Sequence, residues 1–138
     1  MKILHTAYAT ATQEEAVRMV TDFLSHEESL ALLDAADVIV FPYQETTESS
    51  SAAVRHGLAS HRPVACTPLT IFADVSEVVH SLPGTKPQQI AQGLIRLLGD
   101  PRLLEAKRDS QEEWLRANAW PIIGLRLAGM IEGLVKAR

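Results

Sequence analysis

The sequence predicts an α/β fold in which a short, mainly parallel sheet is followed by C-terminal helices. Residues 38–41 and 64–66 form two uninterrupted apolar runs, as expected of parallel strands that are covered on both faces. Between them lie a polar segment and a helical pattern, the order of a strand–helix–strand unit. Beyond residue 86, apolar residues recur at three- and four-residue spacing, which is typical of helices packed on one face.

The central unit places a polar loop between the two apolar runs. Pro42 ends the first run, and residues 43–48 are polar. The serines at positions 49–51 supply capping hydroxyls where a helix should begin, and Pro63 stops that helix before the second run. In an open α/β sheet, ligands bind at the carboxyl ends of the strands, and a helix N-terminus favours anions. The sequence therefore predicts a ligand site in this loop.

The flanking segments complete the predicted fold. Residues 19–23 and 78–80 are further strand candidates, which gives about four strands in all. Ser25 and Glu28 have the spacing of a capping box that opens a helix. The last helix should carry its apolar residues on one face: Trp120, Ile123, Leu127, Met130 or Ile131, and Leu134. Trp114 and Trp120 are interpreted as packing anchors. The prediction is one Rossmann-like, three-layer domain over residues 1–138.

The residues of the central unit also carry a resemblance to a known family. The run AADVIVFPY, then Glu48, then a helix ending LASHRPVA resembles the nucleotide-sugar half of GT-B-fold retaining glycosyltransferases (glycosyl transferases group 1, family four). In that family a strand ending in Pro is followed by a Glu, a glycine-rich turn, and a second Glu eight positions on. Here serines 49–51 replace the turn glycines, and His56 stands at the second Glu. The resemblance covers about residues 18–136, and residues 37–66 are its specific part.

The resemblance implies transfer of a sugar from a nucleotide-sugar donor, with retention of configuration and without a metal or another cofactor. It implies bacterial polysaccharide synthesis as the setting. It assigns Glu48 as the catalytic residue that orients the donor sugar, and it assigns the following substrate-binding residues: Ser49, Ser50, Ser51, Arg55, His56 and Thr67. It also implies that the start of the donor half and the whole acceptor-binding domain are missing. The isolated chain should therefore be inactive, and it should need that domain or self-association through an open sheet edge.

Other interpretations of the same residues remain open. Glu48 can simply stabilise a helix dipole, and one of the three serines caps the helix in either case. Arg55 and His56 point about 100° apart on a helix, so at most one of them is expected to be a ligand. Thr67 can contact a base or phosphate, or the residues after 66 can simply cover the sheet.

Composition limits the possible functions. The net charge is −4, with −5 on residues 1–70, which argues against a general affinity for nucleic acid. No segment has the roughly 20 apolar residues of a membrane helix, and the N-terminus lacks the pattern of a signal peptide. The single Cys66 excludes an internal disulfide, so a cytoplasmic location is expected. The scattered histidines lack metal-binding spacing.

Two alternatives of other classes accompany the glycosyltransferase hypothesis. One is a non-catalytic α/β interaction domain or an orphan fragment, which the acidic N-terminal half, the missing turn glycines and His56 favour. The other is a response-regulator receiver, suggested by the chain length and by Lys86-Pro87. A receiver needs an acidic residue at the end of its central strand, where this chain has Phe41 and Pro42.

Overall fold

The computed structural model describes residues 3–6 and 17–136, and the side chains of residues 20–136. Within these residues the chain has five strands, five α-helices and one 3-10 helix. The chain divides into two compact units, Met1–Ala36 and Asp37–Arg138, and each is considered by itself. The expectation of one domain over residues 1–138 stays a prediction.

The first unit contains an antiparallel strand pair and a helix. Strand β1 (Ile3–Thr6) pairs with β2 (Val17–Val20). The predicted strand at residues 19–23 therefore ends at residue 20. Helix α1 (His26–Asp34) opens with the predicted capping box. Its Glu28 N–H donates to Ser25 Oγ at 3.2 Å, while the Ser25 N–H donates to Glu28 Oε2 at 2.8 Å.

The second unit is built on a parallel sheet. Its strands β3 (Ile39–Phe41), β4 (Val64–Cys66) and β5 (His80–Ser81) lie in the order β3-β4-β5. Helix α2 (Ala52–Ala59) connects β3 to β4, and a 3-10 helix (Thr70–Val75) follows β4. The mixed α/β, Rossmann-like fold with C-terminal helices is confirmed. One of the four predicted strands lies outside this sheet, because residues 17–20 pair with β1 instead.

Two helices follow the sheet where the apolar spacing predicts them. Helix α3 (Pro87–Leu98) begins with a proline in its first turn, where the missing N–H is tolerated. Helix α4 (Pro101–Ala117) is capped by Asp100, whose Oδ1 accepts the N–H groups of Arg102 and Leu103, both at 3.1 Å.

The sheet has helices on both faces because successive strand residues point to opposite sides. On one face, Ile39 and Phe41 meet α2 at Gly57. On the other face lies a buried cluster of Ala65, Leu82 and Leu97, and the following partly buried side chains pack against it: Val38, Val40, Ile90, Leu94, Leu103 and Leu104. The layers are therefore α2, the sheet, and α3 with the start of α4.

The C-terminal helix α5 (Trp120–Lys136) departs from the expected packing. None of its residues is buried, although most of them are apolar. Trp120 is 86% exposed, so its interpretation as a packing anchor is wrong, whereas Trp114 is half-buried. No described helix, α5 included, combines the length and apolar character needed to cross a membrane.

Candidate functional site

The parallel sheet brings the loop after β3 and the loop after β4 to the same edge. Phe41 and Cys66, the last residues of β3 and β4, lie opposite each other in the ladder. The polar residues 42–50 therefore start beside Thr67, and helix α2 begins at this same edge. The predicted placement of the serines at the carboxyl end of a parallel sheet is thus what the structure has.

An aromatic cluster holds the start of the polar loop. The ring centroid of Tyr43 lies 6.1 Å from that of Phe41 and 5.2 Å from that of Phe72. Thr67 Oγ1 donates to the Tyr43 carbonyl oxygen at 2.8 Å, and Gln44 Nε2 donates to the Thr85 carbonyl at 3.3 Å. The loop is fixed at residues 43 and 44, and residues 44–50 are exposed.

The three serines have two different environments. Ser51 is only 4% exposed and caps α2, because its Oγ accepts the Val54 N–H at 3.4 Å. The Tyr43 hydroxyl lies 3.4 Å from the same oxygen. Ser49 and Ser50 are exposed. The hydroxyl of Ser51 is thus used by the fold, whereas Ser49 and Ser50 are exposed residues.

Arg55 folds back along α2 toward its N-terminus. One guanidinium nitrogen donates to the Ser51 carbonyl oxygen at 2.8 Å, and another pairs with the carboxylate of Asp74. Both side chains of the pair remain 40–44% exposed. A cation therefore lies beside the start of α2, and a carboxylate from the 3-10 helix accompanies it.

Glu48 and His56 are both exposed but lie at different ends of the site. The Glu48 N–H donates to Thr46 Oγ1 at 3.2 Å, and its carboxylate makes no hydrogen bond or ion pair with another described residue. His56 lies in the last turn of α2, where the helix dipole favours a cation. The structure thus places the Arg55 guanidinium at the Ser51 carbonyl, with Glu48 three residues before the helix cap, and it leaves His56 in the last turn of α2.

Thr67 and Cys66 are part of the core at the end of β4. Thr67 is 1% exposed, and its hydroxyl hydrogen-bonds the Tyr43 carbonyl, so it supports the loop from within. Cys66 is also 1% exposed, and burial raises the pKa of its thiol to about 12. Since the thiolate is the reactive form, Cys66 is a core residue here and no nucleophile at neutral pH. The cavity beside it measures about 130 Å³, too small for a nucleotide.

The ion pair between Arg55 and Asp74 was not anticipated from the sequence. Asp74 belongs to the segment that follows β4, so the rule that parallel strands end at one edge could have placed it near the α2 N-terminus. Among the described residues, no group of three His, Cys, Asp or Glu side chains is placed to hold a metal ion. No protein-family model matches the chain, and neither does any curated protein.

Proposed function

We propose that the chain is the donor-binding portion of a glycosyltransferase that uses a nucleotide-sugar donor. The transfer would retain the configuration of the sugar and would need no metal. The observation that carries this proposal is the parallel unit β3–loop–α2–β4, with exposed Ser49 and Ser50 at the start of α2. The resemblance to GT-B-fold retaining glycosyltransferases follows this unit in order: a strand, Pro42, Glu48, the serines at positions 49–51 and a helix. Bacterial polysaccharide synthesis in the cytoplasm is the proposed setting.

The chemistry of the site suits a diphosphate. The first N–H groups of α2 have no intrahelical acceptors, and the helix dipole adds positive potential there. Arg55 lies beside them and has guanidinium N–H groups beyond the two that bond Ser51 and Asp74. Departure of the nucleotide diphosphate builds negative charge, which such donors stabilise. Glu48 would accept hydrogen bonds from hydroxyls of the donor sugar.

Asp74 is expected to limit the affinity of this site. Its carboxylate takes up part of the Arg55 charge, so a phosphate must share the guanidinium with it. The cavity of about 130 Å³ beside Cys66 is not lined by Ser49, Ser50 or Ser51. Most of a bound nucleotide would stay in water, and we expect a dissociation constant on the order of 1 mM for the isolated chain.

Calorimetric titration with uridine, guanosine and thymidine diphosphates tests the proposal. One of the three should bind, Arg55→Gln should weaken that binding about tenfold, and Asp74→Asn should strengthen it. The exposed ion pair contributes about 0–1 kcal/mol, so both variants should stay folded. Arg108→Gln, an exposed arginine on α4, is the control and should bind like the unaltered chain. The absence of any heat of binding with all three nucleotides would refute the donor-binding proposal.

The isolated chain should bind donor without turning it over. The acceptor would bind to a separate domain, or to a second chain that pairs with an open edge of the sheet. Sugar transfer by the purified chain alone would contradict this part of the proposal.

A specific feature favours the second candidate function, an interaction domain. The face of α5 formed by Trp120, Ile123, Leu127, Met130 and Leu134 has the seven-residue repeat of paired helices. Trp120, Leu127, Met130 and Leu134 are 56–86% exposed. The charged residues of α5, Arg126, Glu132 and Lys136, lie off this face. A repeat of this kind is self-complementary, so a second copy of α5 is the proposed occupant.

Light scattering after size exclusion measures this association directly. We expect a concentration-dependent dimer that Leu127→Glu abolishes, because the charge would lie inside the helix pair. Leu125→Glu is the matched control, since Leu125 is 71% exposed but lies on the opposite side of α5. A chain that stays monomeric at all concentrations, or two variants with equal effects, would rule out the α5 pairing.

A further inference from the structure

A second cavity lies at the outer edge of the parallel sheet, away from β3. It measures about 250 Å³ and is open to solvent. Strand β5 and the turn after it form one wall, and α3 forms the other. Its lining residues are His80, Ser81, Pro83, Gln92, Gly93 and Arg96. None of them belongs to the proposed donor site.

Gly93 explains how α3 comes so close to the end of β5. A Cβ atom at this position would lie 2.6 Å from Leu82 Cδ2 and 2.7 Å from Pro83 Cδ, both far inside normal contact. The absence of a side chain lets the helix approach the strand end. Gln92 and Arg96 are one turn apart on α3, so their side chains lie on the same side of the helix and both line the cavity.

The lining is rich in donors and carries positive charge. Ser81, Gln92 and Arg96 can donate hydrogen bonds, and His80, whose ring already bonds the Gly93 backbone, can donate a second one when it is protonated; the lining contains no carboxylate. The pKa of His80 is lowered, first by burial, then by the charges of Lys107 on α4 and Arg96 on α3, while a hydrogen bond to the Gly93 backbone opposes the shift. Lys107 is held near by donating to the Glu77 carbonyl oxygen at 3.1 Å. Two cationic side chains, Arg96 and Lys107, thus act on His80 at this cavity, although the chain as a whole is acidic.

We propose that this cavity between β5 and α3 is a binding site for a phosphoryl group, held by Arg96, His80, Ser81 and Gln92. Donor side chains that line one cavity without an acceptor carboxylate suit a tetrahedral oxyanion better than a monocarboxylate. The volume is below the roughly 300–1,000 Å³ of usual ligand pockets, so the site would hold the phosphoryl group and leave any remaining ligand outside. An anion here favours the protonated imidazole, so binding should strengthen as the pH falls through the His80 pKa.

Proton NMR of the histidine rings tests the site, with sodium sulfate as the probe because sulfate does not titrate near neutral pH. At constant ionic strength, sulfate should raise the pKa of His80, and at fixed pH it should leave the ring signals of His56 and His61 in place. His80→Asn assigns the resonance. Arg96→Gln should weaken sulfate binding about tenfold, whereas Arg126→Gln on α5 removes the same charge elsewhere and should change nothing. Sulfate that leaves His80 unmoved, or that shifts all histidines equally, would overturn the proposal.

A second arm identifies the source of the phosphoryl group. Inorganic phosphate and glycerol phosphate are titrated against backbone amide signals of Gly93 and Arg96 at fixed pH. If both bind, the site accepts a phosphoryl group on a larger ligand; if inorganic phosphate alone binds, the site is restricted to the free ion. Shifts at these amides that persist in Arg96→Gln would contradict the assignment of Arg96 as the principal ligand.

Discussion

Replacing Leu97 by alanine is expected to lower the free energy of unfolding by about 2–5 kcal/mol. Leu97 is fully buried and packs with Ala65 of β4 and Leu82 beyond β5, where α3 covers the sheet. Truncation removes apolar contacts and leaves a cavity that the surrounding residues fill only in part. Urea denaturation followed by circular dichroism measures the change.

The neighbouring leucine is the control for this prediction. Leu98 follows Leu97 on the same helix but is 50% exposed, so Leu98→Ala should cost less than about 1 kcal/mol. The comparison holds residue type and helix position nearly constant and changes burial alone. Equal losses in the two variants would mean that α3 does not cover the sheet as described.

Replacing Gly57 by valine should destabilise the protein by about 1–3 kcal/mol and disturb the candidate donor site. A Cβ atom at residue 57 would lie 2.8 Å from Phe41 Cε2 and 3.1 Å from Phe41 Cζ. The Phe41 ring must then move, and it packs against Tyr43, whose carbonyl anchors the polar loop through Thr67. We expect weaker nucleotide binding in addition to lower stability.

A glycine in open space provides the comparison. No described atom lies within 4 Å of a Cβ built at Gly124 on α5, so Gly124→Ala should keep or slightly raise stability, by up to about 1 kcal/mol. Chemical denaturation of the two variants separates steric crowding from helix propensity. If Gly57→Val were as stable as the unaltered chain, the close packing of α2 on β3 would be wrong.

Much of the second unit could be predicted because its signals are local. The apolar run at 64–66 became β4, and the run at 38–41 became β3 after its first residue. The serines produced a capped helix, with Ser51 as the N-cap. Strands covered on both faces and capped helices are encoded by neighbouring residues, so one sequence is enough to recognise them.

What could not be predicted depends on contacts between distant residues. Residues 17–20 pair with residues 3–6 in an antiparallel arrangement. This pairing could not be predicted, because the local sequence of a strand does not determine which strand it pairs with. The spacing of apolar residues on α5 predicted a packing face, but it could not tell whether another element covers that face, and no residue of α5 is buried. Periodicity reports which side of a helix is apolar, and packing decides whether that side is buried.

In the candidate site, too, some features follow from the local sequence and others depend on contacts between distant residues. The exposure of Ser49 and Ser50 at the carboxyl edge follows from strand order and capping. The pairing of Arg55 with Asp74 does not follow from them, because Asp74 lies in a 3-10 helix nineteen positions further along the chain. Thr67 was assigned as a substrate-binding residue by resemblance alone, and the hydrogen bond from its hydroxyl to the Tyr43 carbonyl joins residues 24 positions apart.

Amide chemical-shift mapping tests directly whether Ser49, Ser50 and Ser51, at the carboxyl edge of the parallel sheet, receive a diphosphate. Uniformly ¹⁵N-labelled chain is titrated with uridine, guanosine and thymidine diphosphates up to several times the expected dissociation constant. We expect saturable shifts at the amides of Ser50, Ser51 and Ala52 with at least one nucleotide, and smaller shifts in Arg55→Gln. The donor-binding proposal would be contradicted if the amide signals at the start of α2 stayed in place with all three nucleotides. It would also be contradicted if only residues that line the cavity between β5 and α3 showed shifts.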